Sequence, residues 1–367
     1  MLVHDFENYF VDLHPEISFS MDNKITILDI ARRTGLSKGT VDRVLHNRGE
    51  VSKKSYDKVM KVIKELGYEP NLYASMLASN RSYTIAVMIP DAAHGEFWEI
   101  SRRGIGQAQA SLRIPGIDLV HVAYDQYDGA SFAEACRRVL EMNPDGVVLA
   151  PMYLHESLNF TGALSERQIP YVYIDSKIEE DNYLAYFGMP MAKSGALCAD
   201  LLTQGRQIPS LLIVRIRRTE EDRYDPNLHR RAGFLDYLMA HSPECTIHYL
   251  FIDPTMPENI GPLLADFHSK HPEVRNLVMF NSRIYLLAPY LEKSGLKDLR
   301  VVGFDNLDDN LQALRRGSVN ALIAQHPDRQ VCDAIETLVE FIALKKRPAI
   351  RDHHVHMDIL TKYNIDE

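Results

Sequence analysis

Lys38, Thr40 and Arg43 are the first residues in this chain whose types and spacing suggest a chemistry. Lys and Arg donate to guanine edges and to phosphates, and a Thr hydroxyl can bond to either. Between Lys24 and Arg81 the chain carries 12 Lys and Arg against 6 Asp and Glu, a local charge of +6. The formal net charge of all 367 residues is −9, so the remainder carries −15. A basic module on an acidic body suits a protein that meets nucleic acid at one end. A second set of residues lies far downstream. Asp175, Asn281, Asp305 and Gln325 close the runs YVYID, LVMFN, VVGFD and ALIAQ. At strand ends such side chains either fork hydrogen bonds to a ligand or form turns and cap helices. GxSxG, HExxH and the phosphate-binding P-loop are missing from the sequence, so it reads as a binder rather than an enzyme.

Metal and cofactor chemistry is not expected. The four cysteines, Cys136, Cys198, Cys245 and Cys332, form no CxxC pair and read as buried thiols in a reducing cytosol. His353, His354 and His356 cluster, and on an extended strand His354 and His356 share a face, but with no carboxylate or Cys partner beyond Asp352 and Asp358 a surface or lobe-crossing strand is expected rather than a ligand set. No apolar run is long enough to span a membrane, and the first residues lack a basic segment before an apolar one. A cytoplasmic location is therefore expected. Hydrophobic content of 46% and charged content of 25% are ordinary for a globular chain with room for several domains.

The elements that must position the basic residues are short helices. Ile27, Ile30 and Ala31 recur at helical spacing, with Thr26 as N-cap and Asp29 in capping-box position. Gly35 can end that helix, and Ser37 can cap a second whose apolar face is Val41, Val44 and Leu45. A third helix is predicted over 53–66, with Val59, Val62, Ile63 and Leu66 inward and Lys53, Lys54, Lys58, Lys61 and Lys64 largely outward. This is the spacing of a helix-turn-helix, whose second helix enters the major groove. One helix pair alone describes equally a small helical domain with a solvated basic face.

The longer string resembles the headpiece of the lactose-repressor (LacI/GalR) family of bacterial transcription regulators. It comprises Ile30-Ala31, Gly35-Leu36-Ser37, Thr40-Val41, Arg43-Val44-Leu45, Asn47, Arg48, Val51-Ser52, Leu66-Gly67-Tyr68 and Pro70-Asn71. The resemblance implies a headpiece over 24–70 contacting DNA through Thr26, Ser37, Lys38, Gly39, Thr40, Arg43 and Asn47. It implies a hinge helix over 71–82 with Asn71, Tyr73, Ala74 and Leu77 in the minor groove, Leu77 as the apolar wedge. A plain linker is the alternative. Asp42 stands where members usually carry Ser, and Gly39 where they carry a base-reading side chain. Residues 1–20 do not match the family, and Met21 looks like a natural start.

From Tyr83 onward apolar runs alternate with helical patterns, with strands predicted at 85–89, 118–124, 146–150, 171–175, 211–216, 277–281 and 300–305. Alternation of this kind builds parallel sheets covered on both faces. This part resembles the two-lobed periplasmic sugar-binding fold, close to ribose-binding proteins. The expected fold class is thus α/β, an all-helical headpiece plus a two-lobed core with parallel sheets. The resemblance implies lobe 1 over about 83–187 and 327–353, and lobe 2 over about 188–326 and 354–367, with ligand between them. It assigns ligand contacts to Phe97, Trp98, Tyr153, Asp175, Arg230, Asn281, Asp305 and Gln325. Pro151-Met152-Tyr153 replaces a polar pair common in sugar binders, and Ser282 stands where many members have Asp. The function implied is a homodimeric transcription regulator, expected to be a repressor, reading a pseudo-palindromic double-stranded DNA operator. A carbohydrate-like effector would control it, with no membrane partner. A solute-binding protein would explain Tyr83 onward but not the basic module.

Overall fold

The computed structural model describes residues 25–45, 49–68, 81–112, 116–179, 182–216, 227–296 and 298–365. The chain divides into two compact units, Met1–Asn71 and Leu72–Glu367. The expectations for residues 1–20, for Asn47, and for Asn71, Tyr73, Ala74 and Leu77 of the hinge lie outside the described residues.

In the first unit α1 (Ile27–Thr34), α2 (Lys38–Leu45) and α3 (Lys53–Leu66) close around Ile30, Val41 and Val59, none of which keeps exposed surface. The capping box forms: Thr26 N donates to Asp29 Oδ2 at 2.9 Å, and Asp29 N donates to Thr26 Oγ1 at 3.4 Å. Gly35 ends α1 at φ 63°, a backbone conformation that costs a residue with a Cβ. Ser37 Oγ accepts from Thr40 N at 3.1 Å where α2 begins, and Ser52 Oγ from Ser55 N at 3.3 Å where α3 begins. Burying one Ile or Val contributes roughly 1.5–3 kcal/mol, against about 1 kcal/mol for a cap. Packing therefore holds the unit together, and the caps decide where its helices start.

The second unit contains two lobes. Lobe 1 holds β1 (Tyr83–Pro90), α4 (Phe97–Leu112), β2 (Ile117–Tyr124), α5 (Gly129–Met142), β3 (Gly146–Leu149), α6 (Leu154–Glu166), β4 (Tyr171–Ile174) and β5 (Ala185–Gly188). The chain then enters lobe 2, with α7 (Met191–Thr203), β6 (Ser210–Ile216), α8 (Leu228–His241), β7 (Thr246–Ile252), α9 (Ile260–Lys270) and β8 (Asn276–Met279). It continues through α10 (Ala288–Lys293), β9 (Arg300–Phe304), α11 (Asp308–Arg316) and β10 (Ala321–Ala324). Next, α12 (Pro327–Leu344) returns to pack on α4 and on β3, β4 and β5 of lobe 1. Strand β11 (Asp352–His354) joins β5 in parallel, and β12 (Asp358–Leu360) joins β10 antiparallel in lobe 2.

Each lobe is built on a six-stranded sheet, ordered β11-β5-β4-β3-β1-β2 and β12-β10-β9-β8-β6-β7. The central strands β3, β4 and β10 are buried along their whole length, as parallel strands covered on both faces must be. The seven predicted strands all occur, but several end early. β4 stops at Ile174 and β9 at Phe304, because Asp175 and Asp305 adopt φ 62° and 68° and cannot continue a strand. Strand β11 falls on the crossing strand expected at His353 and His354, whereas β5, β7 and β12 carry no such expectation: β5 and β12 are only four and three residues long, and β7 is an edge strand whose side chains are mostly exposed or half-buried.

Two glycines set one further feature. A Cβ on Gly195 of α7 would lie 1.8 Å from Arg230 O, and one on Gly233 of α8 would lie 2.0 Å from Ala192 O. The two helices cross nearly backbone to backbone. That approach carries Arg230 of α8 into the lobe interior, where the residue is 3% exposed.

Candidate functional site

Arg230 is the centre of a polar constellation at the strand ends between the lobes. Its Nε donates to Ser194 Oγ at 3.1 Å, and its Nη1 donates to Asn227 Oδ1 at 3.0 Å and to Phe280 O. The guanidinium lies 4.1 Å from the centroid of the Phe304 ring, a favourable cation–π placement for a desolvated Arg. Burial pulls its pKa down, while Asp305 and Asp175 pull it up. The two aspartates feel the reverse. Burial pushes Asp305 up to about 6, opposed by Arg230 and by a hydrogen bond from Gln325. Burial pushes Asp175 up to about 7, opposed by Arg230 and reinforced by Asp305. Two carboxyls share one buried cation, so neither is fully compensated.

A hydrogen-bonded arc links the lobes through these residues. Gln325 Nε2 donates to Asp305 Oδ1 at 3.0 Å, and Gln330 Nε2 donates to Gln325 O at 3.0 Å. Asp175 N donates to Gln330 Oε1 at 3.1 Å. The arc runs from β9 and β10 of lobe 2, through α12, to the end of β4 in lobe 1. Among the described residues, Gln325 Oε1 is buried without a hydrogen-bond partner, a costly state that a ligand hydroxyl would relieve. Asp175 and Asp305 hold left-handed backbone, which costs on the order of 1 kcal/mol each and clusters at functional sites.

The other predicted ligand residues fall differently. Asn281 uses its Oδ1 to accept from Arg283 N at 2.9 Å and so shapes a turn. Tyr153 donates its hydroxyl to Gln126 O at 3.2 Å, its ring tilted against Phe132. Phe97 and Trp98 pack edge to face in the lobe 1 core, 5.0 Å between centroids. They also border a small cavity of about 40 Å³ with Glu96, Arg283 and Leu307.

Sequence reasoning missed the pair that joins the lobes at this cavity. Arg283 of lobe 2 donates through Nη2 to Glu96 Oε1 of lobe 1 at 3.0 Å, and its guanidinium sits 5.5 Å from the Tyr127 ring centroid. Leu307, which precedes α11, is 3% exposed and packs with the hydrophobic core of lobe 1. Arg283, Glu96, Asp91, Asp125 and Tyr127 border a larger cavity of about 460 Å³. Glu96 and Arg283 are 187 residues apart, and Gln330 sits in the first turn of α12 with no motif around it, so no local pattern marks them.

In the first unit Lys38, Gly39 and Arg43 are exposed on α2, while Val41 and Val44 face the core. Arg43 Nε donates to Gly39 O at 3.1 Å, laying the side chain along the helix. Thr26 is exposed with its hydroxyl in the capping box, and Ser37 Oγ lies 2.9 Å from Thr40 Oγ1. Lys53, Lys54, Lys58, Lys61 and Lys64 are all exposed on α3.

Comparison with known proteins places these two units. The profile for bacterial regulatory proteins of the lacI family matches residues 26–71, and that for a periplasmic binding protein domain matches residues 85–346. A solved Bacteroides fragilis protein assigned as a LacI transcriptional regulator is 33% identical, with a TM-score of 0.72 over 77% of this chain and 98% of that one. The HTH-type transcriptional regulator DegA of Bacillus subtilis is 30% identical over 148 residues, 40% of this chain and 42% of DegA. The chain thus spans less than half the length of DegA in that match. The HTH-type transcriptional regulator pepR1 of Lactobacillus delbrueckii subsp. lactis is 27% identical over 80% of this chain and 77% of its own length. With a helix-turn-helix unit followed by two parallel-sheet lobes, the chain belongs to the lacI family of bacterial regulatory proteins and carries a periplasmic binding protein domain.

Proposed function

We propose that the chain is a DNA-binding transcription regulator whose operator affinity is set by a small polar molecule, carbohydrate-like, held between its lobes. The observation that carries the effector half is the set formed by the buried Arg230, Asp305 and Gln325 with the half-buried Asp175. It offers a cation, two carboxyls and an unpaired amide oxygen from both lobes to one ligand. Such mixed donors and acceptors suit vicinal hydroxyls, which both donate and accept. Asn281 shapes a turn, and Phe97, Trp98 and Tyr153 support the lobe 1 side from behind rather than joining the polar set. A ligand that bridges the arc stabilises the closed lobes only by its differential affinity for that state.

In this reading DNA is met by α2 through Lys38, Gly39, Thr40 and Arg43, with Ser37 just before the helix and with Thr26 and Asn47 as further DNA-binding residues. The protein works in the cytoplasm as a homodimer whose two headpieces meet two half-sites of a pseudo-palindrome. Asn71, Tyr73, Ala74 and Leu77 form the hinge contact in the minor groove, and the regulator represses. Among the described residues no helix is long and apolar enough to cross a membrane. The relatives named above are transcriptional regulators, and no catalytic step is assigned to this chain. The test is fluorescence anisotropy of the full chain against genomic duplex fragments across a salt series. Binding falls with log salt at a slope of about −0.9 per phosphate contact, and Arg43→Ala weakens it while the helical circular dichroism signal is retained. Unchanged affinity in that variant refutes α2 as the reading helix.

A further inference from the structure

We infer that lobe 2 carries a divalent metal site of zinc type built from His248, His271 and Glu273. His248 lies in the edge strand β7, opposite Leu212 of β6, and His271 is the residue that ends α9. Glu273 follows two residues later. One ring nitrogen from each histidine and one glutamate oxygen lie within 4.8 Å of one another. His271 Nδ1 is already 3.7 Å from Glu273 Oε1. Tetrahedral zinc, with bonds of about 2.0–2.2 Å to nitrogen and oxygen, sets its donors roughly 3.4 Å apart. The cluster therefore needs only a small rotation of side chains, one of them the exposed Glu273.

The two imidazoles rest on a firm base. The ring of Phe267 meets His248 nearly perpendicular, at 5.5 Å and 73°, and lies 4.9 Å from His271. The two histidine rings are 4.2 Å apart. His271 N donates to Phe267 O at 2.9 Å, so the backbone of one ligand is tied to the end of α9. The carboxyl end of a helix carries partial negative charge, which favours a bound cation. The neighbouring Lys270 is neutralised by Asp266 at 2.7 Å. Two imidazoles and one carboxylate favour zinc over magnesium or calcium, and leave a fourth position to water. The cluster lies apart from the effector residues: β7 is the far edge of the sheet, with β6 and β8 between it and β9. Sequence spacing does not show it, because β7 and the α9 turn meet only through the fold.

The test is equilibrium dialysis of the chelator-treated full chain against zinc chloride, with His248→Ala, His271→Ala and Glu273→Gln in parallel. The wild type retains one zinc more than the His248→Ala/His271→Ala double variant. Each single variant binds that zinc at least roughly tenfold more weakly, the loss expected when a ligand shell is broken. His353→Ala/His356→Ala, at the other histidine cluster, leaves binding at the wild-type level. Circular dichroism establishes that each variant is folded before dialysis. Equal zinc retention by the wild type and the folded double variant overturns the proposal. So does the absence of tightly held zinc in the wild type, which would leave the cluster an aromatic packing with a surface ion pair.

Discussion

Replacing Asp305 with Asn should make the ligand-free protein more stable at neutral pH while removing its response to effector. The carboxyl is 3% exposed, and burial raises its pKa from 3.8 to about 6 despite the nearby Arg230. A carboxyl held above its unfolded value favours folding most below pH 3.8, where it is protonated in both states. That contribution is lost as pH rises from 3.8 through about 6 and stays lost above it. At 1.36 kcal/mol per pH unit, the carboxylate costs ~3 kcal/mol at pH 8. Asn keeps the shape, tolerates the φ of 68° and still accepts from Gln325 Nε2 through its amide oxygen. The attraction to Arg230 is already contained in that figure, because the carboxyl reaches about 6 with Arg230 opposing burial; the amide differs from the neutral carboxyl in its own hydrogen bonding, which takes back part of the gain. The expected net gain is about 1–2 kcal/mol at pH 8, shrinking to nothing near pH 4. Urea unfolding of wild type and variant at pH 4, 6 and 8 reads this directly as a pH-dependent difference in midpoint. Operator titration with and without effector then reads the lost response. A variant less stable than wild type at pH 8 would refute the reasoning, because it would mean that Arg230 fully compensates the buried carboxylate.

Two further outcomes follow from the packing and the caps. Gly195→Ala places a methyl group 1.8 Å from Arg230 O, so the α7–α8 crossing must open; a loss of about 1–3 kcal/mol and weaker effector binding are expected by thermal unfolding and calorimetry, and full stability would mean that the helices do not need their close approach. Thr26→Ala removes both side-chain bonds of the α1 cap and should cost the helix-turn-helix unit about 1 kcal/mol, seen as earlier loss of amide exchange protection in residues 27–34 with no change in the lobes.

Much of the helix-turn-helix unit was legible because its determinants are local. Thr26 with Asp29, Gly35, and Ser37 with Thr40 act over three or four residues, and the apolar spacing of Ile30, Val41 and Val59 announces which faces meet. The buried strands were legible for a similar reason, since a short apolar run closed by Asp or Gln is itself a local pattern. Its final residue was misassigned at Asp175 and Asp305, where the left-handed backbone that ends the strand leaves no separate mark in residue type.

What the amino-acid sequence determined by itself was the helix-turn-helix, its basic outer face, the alternating architecture of the lobes and the strand-end candidates. Periodicity, caps and charge act between neighbours in the chain. Only the tertiary structure decided which candidates share a site. Arg230 comes within electrostatic range of the Asp305 and Asp175 carboxyls, on a helix that Gly195 and Gly233 let cross its neighbour at backbone distance. Gln330 bonds Gln325 and, 155 residues from it in the chain, Asp175, while Asn281 spends its oxygen on a turn and Phe97 and Trp98 fill the core. Glu96 with Arg283, and His248 with His271, meet only where distant elements pack. Contacts between residues this far apart are fixed by how whole helices and strands fit together, which the residue types near either partner do not encode.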